Sequence, residues 1–521
     1  MRNLNILLAL AALSLFAAMP SPSSAQAASS AGAIADRLNR AATDGPAALL
    51  HQLDAMLAAD PSLAASPVSA VALARAAAAP VPDFVGATMP VYRSIAEKIA
   101  AAAPAPQRDA VSAAVSGELS RLAETDPRAR PVAPAWELGK IATSQPEPIV
   151  PGFAVGSFTI YPDIKSGGFY DDNIFATKSA HKSDWVGAIS PRVVLQSNWS
   201  QHELVAEAQT DVTRYRNHPS ENTTDWHVSA DGRIDAAQTT QVLLGGLAQR
   251  DHEDRSSPDA VEGFTPTPYT SLNSYAGVAH HAGPYTLRFG SAFEHLTFGN
   301  VDSLHGEIDN QDRNRDRVEV GGLARYDEYR AFRPYFEGTG IFHSYQRRFD
   351  DFGFQRSSQG AIIGVGSLWR ITDDLTGDTF IGVLTRNYDD PTFKTHTTPT
   401  ANAYLRWQPS DETATVLFLD RTLEETTLPG SPGYDYTILG GRIEQGLTEK
   451  LTGILRAAVA RSSFVQNARV DDEGDFSVGL RYSLTGNFTV GCDYRYTTRS
   501  STDSTVDYGR NQFFVRLNAA F

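Results

Sequence analysis

Two periodicities divide the chain. Between residues 31 and 125, apolar residues recur at spacings of three and four, as in Leu49, Leu50, Leu53, Met56 and Leu57, which makes the stripe of an amphipathic helix. Pro and Asp-Pro breaks split this Ala-rich stretch into five expected helices, at 31–42, 46–59, 67–78, 91–102 and 107–124. The Pro-rich segment 126–151 reads as a linker. From about residue 153 the period becomes two. Tyr285, Leu287, Phe289 and Phe293 alternate with Thr286, Arg288, Gly290 and Glu294. Phe476, Val478, Leu480 and Tyr482 alternate with Ser477, Gly479, Arg481 and Ser483, and Phe488, Val490, Cys492 and Tyr494 with Thr489, Asp493 and Arg495.

This pattern predicts about eighteen strands, at 153–172, 184–198, 201–215, 223–237, 238–252, 268–282, 284–300, 311–328, 330–347, 355–371, 373–389, 396–409, 411–424, 432–447, 449–463, 471–484, 486–499 and 508–521. They exceed the ~5–6 residues of an ordinary globular strand and suit a tilted membrane crossing. Short turns, as at 198–200, 236–237, 282–283 and 485–486, alternate with long polar connections, as at 173–183, 251–267, 301–310 and 499–507. Strict alternation of this kind belongs to outer-membrane barrels. The expected fold class is therefore all-β: a transmembrane antiparallel up-and-down β-barrel over 152–521, preceded by a small α-helical periplasmic region over 28–125. An even strand number puts both barrel ends in the periplasm. Segments 411–424 and 432–447 do not sort into two faces, and their registers stay open.

The two ends extend this picture. Arg2, the apolar run Ile6 to Ala18 and Ala25-Gln26-Ala27 give residues 1–27 the form of a secretory signal peptide, with Ser23-Ser24-Ala25 as a second cleavage site. Pro20 and Pro22 end the run too early for a membrane anchor, and no Cys follows it to carry a lipid. At the other end Phe513, Val515, Leu517, Ala519 and Phe521 share one strand face, and Gln512, Arg516 and Asn518 the other. An apolar row ending on an aromatic resembles the signal read by the barrel assembly machinery, which Phe513, Val515, Leu517 and Phe521 would carry.

Composition narrows the classes. A net charge of -15 argues against nucleic acid as a partner, and the single Cys492 rules out an intramolecular disulfide framework. A charge on a lipid-facing strand position costs up to ~2–4 kcal/mol, so the charged set is expected inside. Arg192, Glu203, Glu207, Asp211, Asp231, Arg233, Arg288, Glu294, Arg481, Asp493, Arg495 and Arg516 are the lumen-facing candidates. They read either as charge rings that select a solute or as ion pairs that hold the wall, the second being the default for any one residue. The acidic group on 201–215 is the expected local selectivity feature. Trp185, Trp199, Trp226, Trp369, Trp407 and Tyr508 sit at strand ends, as interfacial girdles do.

No nucleophile elbow, zinc-protease helix, phosphate loop or paired-Cys motif occurs, so no catalytic residue, metal site or cofactor is expected and the chain reads as no enzyme. His280-His281 reads as an interfacial polar pair. Asp171-Asp172-Asn173, Asp389-Asp390 and Asp471-Asp472-Glu473 are hard-oxygen groups without the spacing of a calcium loop, and solvated loop charge is their default.

Gly167 to Thr177 (G-G-F-Y-D-D-N-I-F-A-T), Lys182 to Trp185 (K-S-D-W), Ile189 to Pro191, Ser197 to His202, Thr224 to Trp226 and Arg250 to Arg255 (R-D-H-E-D-R) together resemble the putative β-barrel porin 2 family. The resemblance covers most of 150–521 and implies an outer-membrane barrel of the kind often associated with exopolysaccharide or capsule production. It carries no residue set for a sugar path. The expectation is a Gram-negative outer-membrane porin that supports export of exopolysaccharide or passage of hydrophilic solutes. Its expected partners are outer-membrane lipid and lipopolysaccharide, the barrel assembly machinery, and polysaccharide or periplasmic export components. The alternative is a non-conducting structural or adhesive barrel.

Overall fold

The computed structural model describes residues 152–521, apart from 200, 201, 262, 330, 373 and 411, together with parts of 34–119. The expected signal peptide and the 126–151 linker lie outside the described residues. A short strand, β1 (Phe153–Val155), folds back on β2 (Phe158–Asp171). Then come β3 (Asp184–Ser197), β4 (Glu203–Tyr215), β5 (Thr223–Ala237), β6 (Thr240–His252), β7 (Pro268–Ala282) and β8 (Tyr285–Phe298). A small hairpin, β9 (Val301–Ser303) with β10 (Gly306–Ile308), precedes β11 (Arg315–Tyr326), β12 (Phe332–Tyr345), β13 (Ser358–Thr372) and β14 (Leu375–Tyr388). The last seven are β15 (His396–Trp407), β16 (Thr413–Glu424), β17 (Tyr434–Gly446), β18 (Leu451–Phe464), β19 (Val470–Ser483), β20 (Phe488–Ser501) and β21 (Tyr508–Ala520).

The eighteen long strands pair antiparallel with their sequence neighbours, and β21 closes on β2 from Asp171↔Gln512 to Asp163↔Ala520. The result is the expected closed up-and-down barrel, which leaves no sheet edge to pair with another chain. Segments 223–237 and 268–282 are strands with the expected bounds, and the others differ by a few residues. The β9–β10 hairpin falls inside an expected loop, because three-residue strands are too short to carry a period. Nine long connections gather at one rim: L1 (172–183), L2 (216–222), L3 (253–267), L4 (299–314), L5 (346–357), L6 (389–395), L7 (425–433), L8 (465–469) and L9 (502–507). Short turns occupy the other rim.

The pleat sorts the side chains. Phe289, Ile381, Phe476, Phe513 and Val515 are exposed on the outer face, as is Cys492. The registers left open in β16 and β17 are now fixed: Leu439 is outside, while Ala414, Val416, Tyr434, Tyr436 and Ile438 are buried on the inner face. Trp185, Trp199, Trp226 and Trp407 are exposed, as a girdle requires. Tyr508 departs from that expectation. It shares the inward parity of Gln512, is buried, and lies 5.4 Å beneath the Arg499 guanidinium.

In the N-terminal region the helices α1 (Pro46–Ala59) and α2 (Pro67–Ala78) have the expected bounds. Leu49, Leu53 and Met56 pack with Leu38, Leu73, Ile95, Ile99, Val111 and Leu119 in a core of their own. The other three expected helices are described only in part. Among the described residues no helix is long and apolar enough to cross a membrane.

Candidate functional site: the lumen and the loop that crosses it

All twelve lumen-facing candidates lie on the inner face, opposite the exposed apolar rows. Most are tied to neighbours. Arg192 Nε donates to Asp163 Oδ2 at 2.7 Å and its Nη1 to Glu207 Oε2 at 3.3 Å. Arg233 Nη1 donates to Glu203 Oε2 at 2.7 Å, and Arg495 Nη2 to Asp475 Oδ2 at 2.8 Å. Arg481 pairs with Glu444, and Arg516 with Asp493. The acidic group of β4 is therefore largely compensated, since Glu203 and Glu207 face arginines and Asp211 accepts from Gln209 Nε2 at 2.9 Å. Other lumen charges escaped the sequence reading: Arg442 and Arg456 beside Glu444 and Asp493, and Glu337, Asp378 and Asp420 on the far wall. Strand parity would have found Arg456, Glu337 and Asp378, whereas Asp420 and Arg442 lie on the two strands whose faces do not sort.

The feature that sequence missed is L3. Its composition suggests a solvated outer loop, yet it crosses the mouth of the barrel. At its root Arg255 grips buried Glu221 of the short helical turn in L2 at 2.8 and 2.9 Å, and Glu253 pairs with Arg313. Arg499 of β20 donates to Ser256 O, and Arg469 of L8 to Pro258 O at 3.4 Å. Arg510 of β21, already 2.6 Å from buried Asp171, stands 3.6 Å from Asp254. On the opposite wall, Thr426 Oγ1, Thr427 N and Thr427 Oγ1 donate to Asp259 Oδ1 at 2.7, 3.2 and 3.3 Å. L7 is itself braced by Arg356, which donates to the carbonyls of Thr426, Ser431 and Leu428 while its Nε holds Asp350 Oδ2 at 2.7 Å.

The loop carboxylates respond to this crowding. Burial raises the Asp254 carboxyl, but the Arg510 charge and the Ser256 N–H and hydroxyl outweigh it and hold it down at about 2. Burial likewise raises Glu425, and His343, Arg386, Arg315 and the Tyr345 hydroxyl hold it at about 2. A cavity of about 880 Å³ lies against L3 and is lined mainly from β4–β8, β11 and L7.

Most of the flagged carboxylates are structural rather than solvated, while Asp389 and Asp472 stay exposed as expected. Asp171 accepts from Gln512 Nε2 at 2.8 Å, Asp471 from Arg469 and Ser501, Asp472 from Arg461, and Glu473 from Arg499. Asp390 accepts from Thr392 and from the Gln355 N–H. Asn173 ties L1 to Gly509 O at 3.0 Å. His280 and His281 bond Thr240 and Thr286 separately. Among the described residues, Asp225, Asp251 and His252 bring three donor atoms within 4.8 Å of one another. His252 Nδ1 is 2.9 Å from Asp225 and 3.5 Å from Asp251, which is the geometry of an ion pair.

The model of the family described as putative beta-barrel porin 2 matches residues 147–521, and the chain belongs to that family. Among curated proteins nothing matches. The chain is similar to the solved outer membrane protein OpdK of Pseudomonas aeruginosa at 12% identity, over 70% of this chain and 99% of that one, with a TM-score of 0.37. For OccK2 (OpdF) of the same organism the identity is 11%, the coverage 70% and 98%, and the TM-score 0.41. For OccAB3 of Acinetobacter baumannii the figures are 10%, 70% and 100%, and 0.39. The chain is thus an outer-membrane barrel of a porin family.

Proposed function

We propose that this family member is a passive channel for hydrophilic solutes, with the long-loop rim facing outward and the helical region in the periplasm. The observation that carries the reading is a closed barrel whose inner face is charged along its length, with a cavity of about 880 Å³ under L3. A polar lumen offers a solute water and hydrogen bonds in place of hydrocarbon, and the protein supplies no energy source. Short turns at one rim and the secretory start of the chain support the orientation. An exported polysaccharide, the cargo suggested by the family resemblance, would need L3 to leave its docked position first. The docked geometry favours small solutes.

The test is reconstitution of the mature protein in planar bilayers, with heat-modifiable migration as the control for folding. Discrete, stable channels are expected. A folded barrel that stays silent would overturn the reading and leave a structural or adhesive barrel in its place.

A further inference from the structure

L3 divides the mouth of the lumen unequally. On the side where it docks, the guanidiniums are occupied: Arg469, Arg499 and Arg510 hold L3 carbonyls or Asp254, and none has a side chain more than 10% exposed. On the side left open, nine carboxylates and four guanidiniums line the cavity. Three of those four are already engaged: Arg313 with Glu253, Arg356 with Asp350 and the L7 carbonyls, and Arg317 with Glu319. Hydroxyls hold three of the remaining acids, and the fourth guanidinium, Arg315, lies within Coulomb reach of Glu294, Glu424 and Glu425. Tyr275 Oη donates to Asp231 at 2.7 Å, Ser271 Oγ to Glu294 at 3.1 Å, and the two L7 threonines to Asp259. None of these three, nor Glu424, enters an ion pair among the described residues.

We propose that the path beside L3 passes small hydrophilic cations, inorganic or ammonium-bearing, in preference to anions, with Asp231, Glu294 and Asp259 as the specificity-determining residues. The inference rests on the channel reading above. A cavity with an excess of charge of one sign, here nine carboxylates to four guanidiniums, raises the local concentration of counter-ions. The effect is strongest at low salt, because the Debye length is about 30 Å at 0.01 M and only about 3 Å at 1 M.

The test is the reversal potential of the full mature protein in a potassium chloride gradient. At low salt the wild-type channel is expected to prefer potassium over chloride, with the ratio shrinking toward unity at 1 M. The double variant Asp231→Asn, Glu294→Gln keeps both shapes, and its ratio is expected to fall about sevenfold per charge removed, since one charge at roughly 7 Å in water attracts the cation and repels the anion by about RT each. Open wild-type channels with no preference, or with a preference for chloride, would overturn the cation inference and leave the channel standing. Silent bilayers from folded protein would overturn both.

Discussion

Asp259 is the point at which the crossing loop meets the far wall, and Asp259→Ala tests whether L3 is held there. The substitution removes the acceptor shared by Thr426 Oγ1, Thr427 N and Thr427 Oγ1. The shortest of these, at 2.7 Å, is a charge-assisted bond worth about 1.5–3 kcal/mol, and the longer two add less. About 2–4 kcal/mol of docking energy is at stake. At 1.4 kcal/mol per decade, the undocked population rises roughly 30- to 700-fold. The anchors to Arg469, Arg499 and Arg510 remain, so the barrel keeps its fold and only the loop tip is released.

Single-channel recording reads that change directly, as brief upward steps from the wild-type current level. Asp259→Asn separates bonding from charge: its amide oxygen still accepts from the threonines, so the steps should stay rare even though a negative charge has gone. Hydrogen exchange over 255–261 should accelerate in the Ala variant alone. Traces and exchange indistinguishable from wild type in Asp259→Ala would refute the docked-loop account. Equal disturbance by both variants would show that charge, not the bond, fixes L3.

Four further outcomes are expected. Asp254 and Glu425 both lie at about 2, below unfolded values of about 3.9 and 4.3, so their contribution is complete above pH ~4.3 and is lost as pH falls through about 2. Current noise from L3 and L7 should therefore grow between those limits, and a flat profile down to pH 2 would count against the loop ion pairs. Arg510→Leu strands fully buried Asp171 with only neutral donors at the closing seam and should cost up to about 3–5 kcal/mol, read as a lower temperature for the heat-modifiable shift. Gly366→Ala drives a methyl onto the Tyr335 ring and hydroxyl, whose bond to Asp378 Oδ1 is 3.1 Å, and should cost about 1–3 kcal/mol by the same measurement. Phe521→Ala removes the terminal aromatic, exposed and 6.0 Å from Phe488, and should reduce the fraction of chain that reaches the heat-modifiable form in cells. Unchanged assembly would separate that residue from the insertion signal.

The barrel was legible because lipid imposes one simple rule on one face: every second residue is apolar wherever the other face meets water. The rule places all twelve charged candidates inside, since a charge has only one tolerable direction. It fails in β16 and β17, and the structure supplies the reason. There part of the inner face is apolar too, with Tyr434, Tyr436, Ile438 and Phe464 packed together under Leu428 of L7. Arg469 lies 4.5 Å over the Phe464 ring and reaches on to L3. Strand pattern broke down where loops turn inward and give the lumen face something other than water to meet. L3 itself gave no local sign, because Asp, Arg, Ser and Pro compose a solvated loop and a docked one equally well. What docks it are arginines more than 200 residues away in sequence, at separations of 211 for Pro258 with Arg469 and 243 for Ser256 with Arg499. Two failures of the pattern thus share one physical cause. A pair of neighbouring strands that will not sort, in a chain where several others sort cleanly, marks the wall over which a loop has folded in.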